Sequence, residues 1–222
     1  MIAGKYKTLF FDWDKALSYS RFWERLEDPQ NPHNREGEVI SHFLFHENRE
    51  LLAPWMRGEL YTHDILTQIS EQTGIDYNFI RNELEYSCRN MRFVSDEITH
   101  LIRKVRDTGI RCVIATDNMD TFREFTIPHM KLDYLFDDFL ISCELGVLKF
   151  EADKEHRRIP FFDAYLKENN LNYSDVVLFD DCVDDGFYHD IGFQIVQVTK
   201  PHDLITHLGY FLSIIFPSED HP

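Results

Sequence analysis

Residues 8–14 read TLFFDWD, a short apolar run that ends in two aspartates one residue apart. As a strand, such a run has both faces buried, which is the habit of a parallel sheet. Its period of two turns Asp12 and Asp14 to the same side. Further along, Ile110–Ala115 (IRCVIA), Val176–Phe179 (VVLF) and Gln194–Val198 (QIVQV) read the same way, and Phe139–Ser142 (FLIS) is a weaker fifth candidate. Helical patterns separate the later strands. Ser95 is placed to cap a helix over DEITHLIRKVRDTG, where Ile98, Leu101, Ile102 and Val105 follow the 3–4 spacing and Gly109 is the stop. Phe161–Asn169 and Asp184–Ile191 are two more helix candidates. Alternation of strand and helix from about residue 95 onward predicts an α/β fold with a doubly wound parallel sheet.

Between the first and second strands the rhythm breaks. A crossover needs roughly a dozen residues or more, yet residues 17–92 intervene and contain no convincing strand. They read instead as helices over Glu36–Leu52, Thr62–Gln72 and Tyr77–Cys88, with Gly58 and Gly74 as breaks. The expected organisation is a core of residues 1–16 and 93–222 with a helical subdomain, 17–92, inserted after the first strand. The closing residues, SEDHP, are expected to fray.

The chain has 222 residues, 43% of them hydrophobic, enough for a packed core. Its 23 Lys+Arg against 39 Asp+Glu give a net charge of −16, which matches neither nucleic acid nor an anionic membrane surface. No stretch approaches the roughly 18 consecutive apolar residues of a spanning helix. The run after Lys5 and Lys7 is too short for a signal peptide. Cys88, Cys112, Cys143 and Cys182 are widely spaced without a CxxC pair, so neither a zinc knuckle nor a disulfide framework is signalled. A reducing, cytoplasmic setting is the expectation.

In a doubly wound sheet, ligands bind beyond the carboxyl ends of the strands. There the first strand delivers Asp12 and Asp14, the second Thr116, Asp117 and Asn118, and the VVLF strand Asp180 and Asp181, with Asp184 and Asp185 close behind. Lys149, in GVLKF, lies between the last two. Carboxylates gathered this closely repel one another unless a cation intervenes. Hard oxygen donors favour Mg²⁺.

TLFFDWD, CVIATDN, GVLKF and VVLFDDCVDD, in this order, resemble the four motifs of the haloacid dehalogenase-like (HAD) superfamily. The insertion after the first motif looks like the helical cap of that family's first cap class. The resemblance implies that Asp12 attacks phosphorus and that Asp14 serves as acid and then base. It implies that Mg²⁺ is held by Asp12, the Asp14 carbonyl and Asp181, with Asp180 and Asp185 in support. Thr116 and the amides after it, at Asp117 and Asn118, would bind the phosphoryl oxygens, with Lys149 offsetting their charge. Three positions depart from the family's pattern: Lys15 and Ala16 stand where Gly-Thr is usual, and Phe150 where Pro follows the lysine. Lys15 is expected to face the cap and help neutralise an anionic substrate. Arg21, Trp23 and Arg57 are candidate substrate contacts from the cap.

The function these expectations favour is a Mg²⁺-dependent phosphatase acting on a small phosphorylated metabolite. A 2-haloacid dehalogenase is the nearest enzymatic rival, but it needs no leaving-group acid and no metal. A phosphomutase with the same intermediate and a catalytically weak relative that binds a phosphorylated ligand or partner stay open. His42 and His46 sit four apart, but HFLFHE lacks the HExxH order of a metalloprotease and reads as an ordinary helix face. Oligomeric state is not encoded in any of these patterns.

Overall fold

Each of the five apolar segments forms a strand in the computed structural model, which describes residues 6–215. They are β1 (Thr8–Phe11), β2 (Arg111–Thr116), β3 (Asp138–Ile141), β4 (Val176–Asp180) and β5 (Gln194–Gln197). All neighbours are parallel, in the order β3-β2-β1-β4-β5. Phe11 lies opposite both Ile114 and Phe179, so the ends of the three central strands are nearly flush. After β1 the chain builds outward on one side through β2 and β3, then returns to the other side for β4 and β5. The strand order therefore reverses at β1, and the crevice of such a sheet opens at its carboxyl edge.

Between β1 and β2 the chain forms α1 (Asn34–His42), α2 (Leu52–Met56), α3 (Thr62–Thr73), α4 (Tyr77–Arg89) and α5 (Glu97–Asp107). Beyond β2 come α6 (Ile127–Met130), α7 (Ser142–Leu145), α8 (Pro160–Glu168), α9 (Phe187–Asp190) and α10 (Asp203–Ile215). Leu9, Phe11, Cys112, Ile114, Val177 and Phe179 turn to one face of the sheet, where α5 and α10 bury Ile98, Ile102, Leu204 and Leu208. Phe10, Val113, Ala115, Val176 and Leu178 turn to the other, against Phe161, Phe162 and Tyr165 of α8. Burial on both faces is why the strands read as runs rather than alternations. Trp23, Ile40, Trp55, Ile65 and Ile80, from the stretch between β1 and α5, join the first of these clusters.

Two helical expectations differ in detail. The single helix expected over Glu36–Leu52 is broken: α1 stops at His42, a wider π turn covers Phe43–Glu47, and Asn48 leaves helical geometry at φ −126°. The wide turn brings the adjacent Phe43 and Leu44 both inside, which a regular helix face does less well. Around Asp184–Ile191 only Phe187–Asp190 is helical. Asp184 instead receives the amides of Gly186, Tyr188 and His189 at 2.9–3.1 Å, so it starts the helix from outside. α10, like the short α6 and α7, is additional to the elements expected from the sequence. Residues 218–222, SEDHP, lie outside the described residues. No helix among the described residues is long and apolar enough to cross a membrane.

Candidate active site at the carboxyl edge of the sheet

Asp12 follows the last residue of β1, and its amide donates to the Phe179 carbonyl at 2.9 Å, extending the sheet by one bond. Its carboxylate is buried, with Oδ1 2.7 Å from Lys149 Nζ. The same ammonium lies 2.5 Å from Asp180 Oδ2 and donates to the Ala115 carbonyl at 3.3 Å. One cation thus ties together the ends of β1, β2 and β4. Its backbone is fixed as well: the Lys149 amide donates to Asp117 Oδ1 at 2.8 Å, and its carbonyl accepts from the Tyr188 hydroxyl at 2.8 Å. An ammonium taken out of water costs several kcal/mol unless it is paired, so Lys149 is tolerable here only because of its carboxylates. Burial opposes its charge, but Asp12, Asp180 and Asp117 outweigh burial and hold the ammonium protonated. For Asp12 the balance runs the other way. Burial, aided by the charge of Asp180, outweighs Lys149 and lifts its carboxyl to about 7.

A second pair of carboxylates shares a second lysine. After Asp12 the chain turns tightly, with the Leu17 amide on the Asp12 carbonyl at 3.2 Å and the Lys15 amide on the Ser18 carbonyl at 2.7 Å. Lys15 sits in the left-handed region at φ 56°. From there its Nζ reaches 3.3 Å from Asp181 Oδ2 and 3.8 Å from Asp14 Oδ2, and these two carboxylates raise its pKa. Lys15 therefore points across the strand ends to Asp181, not to the inserted helices. Five carboxylates, Asp12, Asp14, Asp117, Asp180 and Asp181, thus meet only two ammoniums at this edge, which leaves it acidic.

That residual charge and its oxygen donors fit a hard dication. Donor atoms of Asp180, Asp181 and Cys182 lie within 4.8 Å of one another. Of these three, the Asp180 and Asp181 carboxylates are the hard donors that suit such an ion, and Cys182 is the soft one. Asp12 is outside that set, turned to Lys149. Asp185 is further removed: it is exposed and pairs with Lys154 at 3.0 Å.

Thr116 ends β2 with its side chain 1% exposed, and its hydroxyl has no hydrogen-bond partner among the described residues. Such an orphan invites an oxygen ligand. The Asn118 amide, by contrast, already donates to Ser142 Oγ at 2.9 Å. Of the candidate contacts from the inserted helices, Arg57 is held by Glu151 and Arg21 by Glu27. Trp23 is buried and donates its indole N–H to the Ile80 carbonyl at 2.9 Å, which makes it a packing residue. The His42 and His46 rings stack at 5.5 Å, with His42 Nε2 3.2 Å from Glu47.

A cavity of about 430 Å³ opens beside these groups, between the loops after β1 and β2 and the inserted helices. Asp14, Asp117 and Asn118 line it from the core side, and Arg21, Phe45 and Met56 from the other. Phe45, Met56, Met91 and Met119 were not legible as site residues, because an apolar side chain at a mouth has the same sequence signature as one in a core.

No family model and no curated protein matches the chain. Solved structures do. A predicted HAD-like family hydrolase from Porphyromonas gingivalis superposes with a TM-score of 0.68 at 14% identity, over 94% of this chain and 98% of that one. A HAD family enzyme from Bacteroides thetaiotaomicron, in complex with magnesium and inorganic phosphate, gives 0.60 at 14% identity, over 86% and 93%. An L-2-haloacid dehalogenase from Xanthobacter autotrophicus, with chloropropionic acid covalently bound, gives 0.59 at 12% identity, over 86% and 77%. At such identities the likeness is one of architecture, and this chain has the fold of the HAD-like hydrolases.

Proposed function

We propose that the chain is a hydrolase of the HAD superfamily acting on phosphoric monoesters. What carries the reading is the combination at the ends of β1 and β2. A carboxylate buried beside an ammonium, Asp12 with Lys149 at 2.7 Å, is followed two residues later by the largely exposed Asp14, beside an unpartnered threonine hydroxyl at Thr116. A carboxylate oxygen of Asp12 attacks phosphorus, the bond from phosphorus to the leaving oxygen breaks, and Asp14 gives that oxygen its proton. Asp14 then takes a proton from a water molecule that attacks the aspartyl-phosphate, releasing phosphate and restoring Asp12. Thr116 donates to a phosphoryl oxygen, and Lys149 offsets the charge that builds there.

Mg²⁺ would be held by Asp12, Asp181 and the Asp14 carbonyl, with Asp180 in support, and would supply charge neutralisation at the phosphoryl group. Asp185, paired with Lys154 at 3.0 Å, is not among the donors gathered by Asp180 and Asp181. The dehalogenase reading is weaker because carbon–halogen cleavage leaves halide and has no use for a proton donor at Asp14. Reading the chain as a binder of phosphorylated ligands, with weak turnover, has one observation in its favour: Lys15 occupies Asp181 and Asp14.

The test is turnover of 4-nitrophenyl phosphate with Mg²⁺. Activity is expected, to be lost with chelator and to fall at least about a thousandfold in Asp12→Asn, the scale seen when a nucleophile is removed. Turnover unaffected by Asp12→Asn would overturn the assignment. Absence of turnover across a broad phosphate panel, with inorganic phosphate still bound, would favour the binder. Halide release from 2-chloropropionate without metal would favour the dehalogenase.

A further inference from the structure

Among the described residues, every cation near the reacting edge is already engaged. Lys149 is held by Asp12 and Asp180, Lys15 by Asp181 and Asp14, Arg57 by Glu151, and Arg21 by Glu27. Of these, only Arg21 lines the cavity, where it faces three carboxylates, Asp14, Glu27 and Asp117. A substrate's phosphoryl group would be received by Thr116 and Lys149, and by Mg²⁺ when it is bound. A second anionic group, carried on the organic part, would enter a cavity with no free positive partner and would lose its hydration there.

The rest of the wall is apolar. Phe22, Phe45, Leu52, Met56 and Met91 from the inserted stretch line it together with Met119 from the loop after β2. Met91 and Met119 are buried, and Phe45 stands exposed at the mouth. The uncharged polar lining is Ser20, Ser41 and Asn118; the charged lining, Asp14, Arg21, Glu27 and Asp117, is the set already described, and three of those four are carboxylates. Three methionines supply a wall that adapts to shape without offering charge.

Resting on the phosphomonoesterase reading, we infer that the preferred substrate is the phosphate ester of an uncharged, apolar alcohol, aromatic or branched aliphatic. A sugar phosphate, or a phosphate ester bearing a carboxylate or second phosphate, is disfavoured. The cavity fits an organic group of one ring or its aliphatic equivalent, with room to spare.

Unhydrolysable phosphonates test this without depending on turnover. With Mg²⁺ present, 3-phenylpropylphosphonate is expected to bind at least about tenfold more tightly than 3-phosphonopropanoate, a ratio typical of matching an apolar wall and avoiding a buried unpaired charge. In Glu27→Gln, which removes one wall carboxylate and frees Arg21, the ratio is expected to fall at least about threefold. Equal binding, or tighter binding of the carboxylate-bearing ligand, would overturn the inference, as would a ratio that Glu27→Gln leaves unchanged. A parallel comparison of kcat/KM uses 2-phenylethyl phosphate, 3-phosphooxypropanoate and glucose 6-phosphate, all primary alkyl esters with similar leaving groups. The phenylethyl ester is expected to lead, and a lead by either of the others would also overturn the inference. If none is hydrolysed, the phosphatase reading fails while the phosphonate ratio still decides the cavity's preference.

Discussion

Lys15 carries the largest surprise of any single residue. From the sequence it stands where a small, permissive residue is usual, and an ammonium after two aspartates reads as an attractor for anionic substrate. The fold gives it another role. A left-handed backbone at φ 56° swings the side chain over the strand ends, to Asp181 of β4's extension, 166 positions away in the chain. No local pattern encodes such a pairing, whereas Asp12, Thr116 and Asp180 were legible because they end apolar runs. If the site takes Mg²⁺, Lys15 competes with it for Asp181. An exposed ion pair is worth at most about 1 kcal/mol, so Lys15→Ala should tighten Mg²⁺ binding only about threefold to fivefold. Calorimetry, or Mn²⁺ competition followed by electron paramagnetic resonance, reads this without reference to turnover. Weaker binding in Lys15→Ala would mean that the ammonium helps hold the site open instead of occupying it.

Among elements, the strands stand out in the sequence more plainly than the terminal helix does. The central strands β1, β2 and β4 are buried almost throughout and read as short apolar runs, while the edge strands β3 and β5 are less buried and carry a weaker form of the same signal. α10 has a signal too, in Leu204, Leu208 and Leu212 at four-residue spacing and in Asp203, whose carboxylate receives the Thr199 and Lys200 amides at 2.9 Å. The loop between Lys149 and α8 shows how an irregular element is held. Asp153 and Arg158 exchange backbone hydrogen bonds of 2.9 and 3.1 Å. The Asp153 carboxylate accepts from the His156 ring and amide and from Arg158 Nε at 3.0 Å, which together pull its pKa down to about 2. A carboxyl that titrates lower in the folded chain than near 4 in the unfolded one binds fewer protons when folded. Its stabilising share is thus complete above about pH 4 and is lost as pH falls toward 2. A carbon-13 titration should place the Asp153 midpoint near 2, and Asp153→Asn should abolish that part of the acid sensitivity. A midpoint near 4 would mean that the loop is not held by this carboxylate.

At the scale of the molecule, the net charge of −16 divides into a local site and a dispersed remainder. What makes one structure of the sheet and the stretch inserted after β1 is contact, and one close approach concentrates it. Between α2 and α3 the chain passes through Gly58 at φ +70°, where an added Cβ would lie 2.3 Å from the Cys143 carbonyl oxygen at the start of α7. Flanking side chains reinforce the contact: Arg57 pairs with Glu151, and the Thr62 amide donates to Asp120 at 3.2 Å. The obstacle at Gly58 is backbone and cannot rotate away, so a side chain there must push the two layers apart. Gly74 is a built-in control, with φ +75° and open space where its Cβ would be. Gly74→Ala should cost only the left-handed conformational penalty, about 1 kcal/mol. Gly58→Ala should cost at least about 2 kcal/mol more, because backbone overlap has no cheap relief. Denaturant unfolding of the two variants measures the difference. Emission from the buried Trp55, whose indole N–H reaches Thr62 Oγ1 at 3.1 Å, should shift to the red in Gly58→Ala alone. Equal losses in the two variants would show that the approach at Cys143 is not what seats the inserted helices, and would move that role to the ion pair between Arg57 and Glu151.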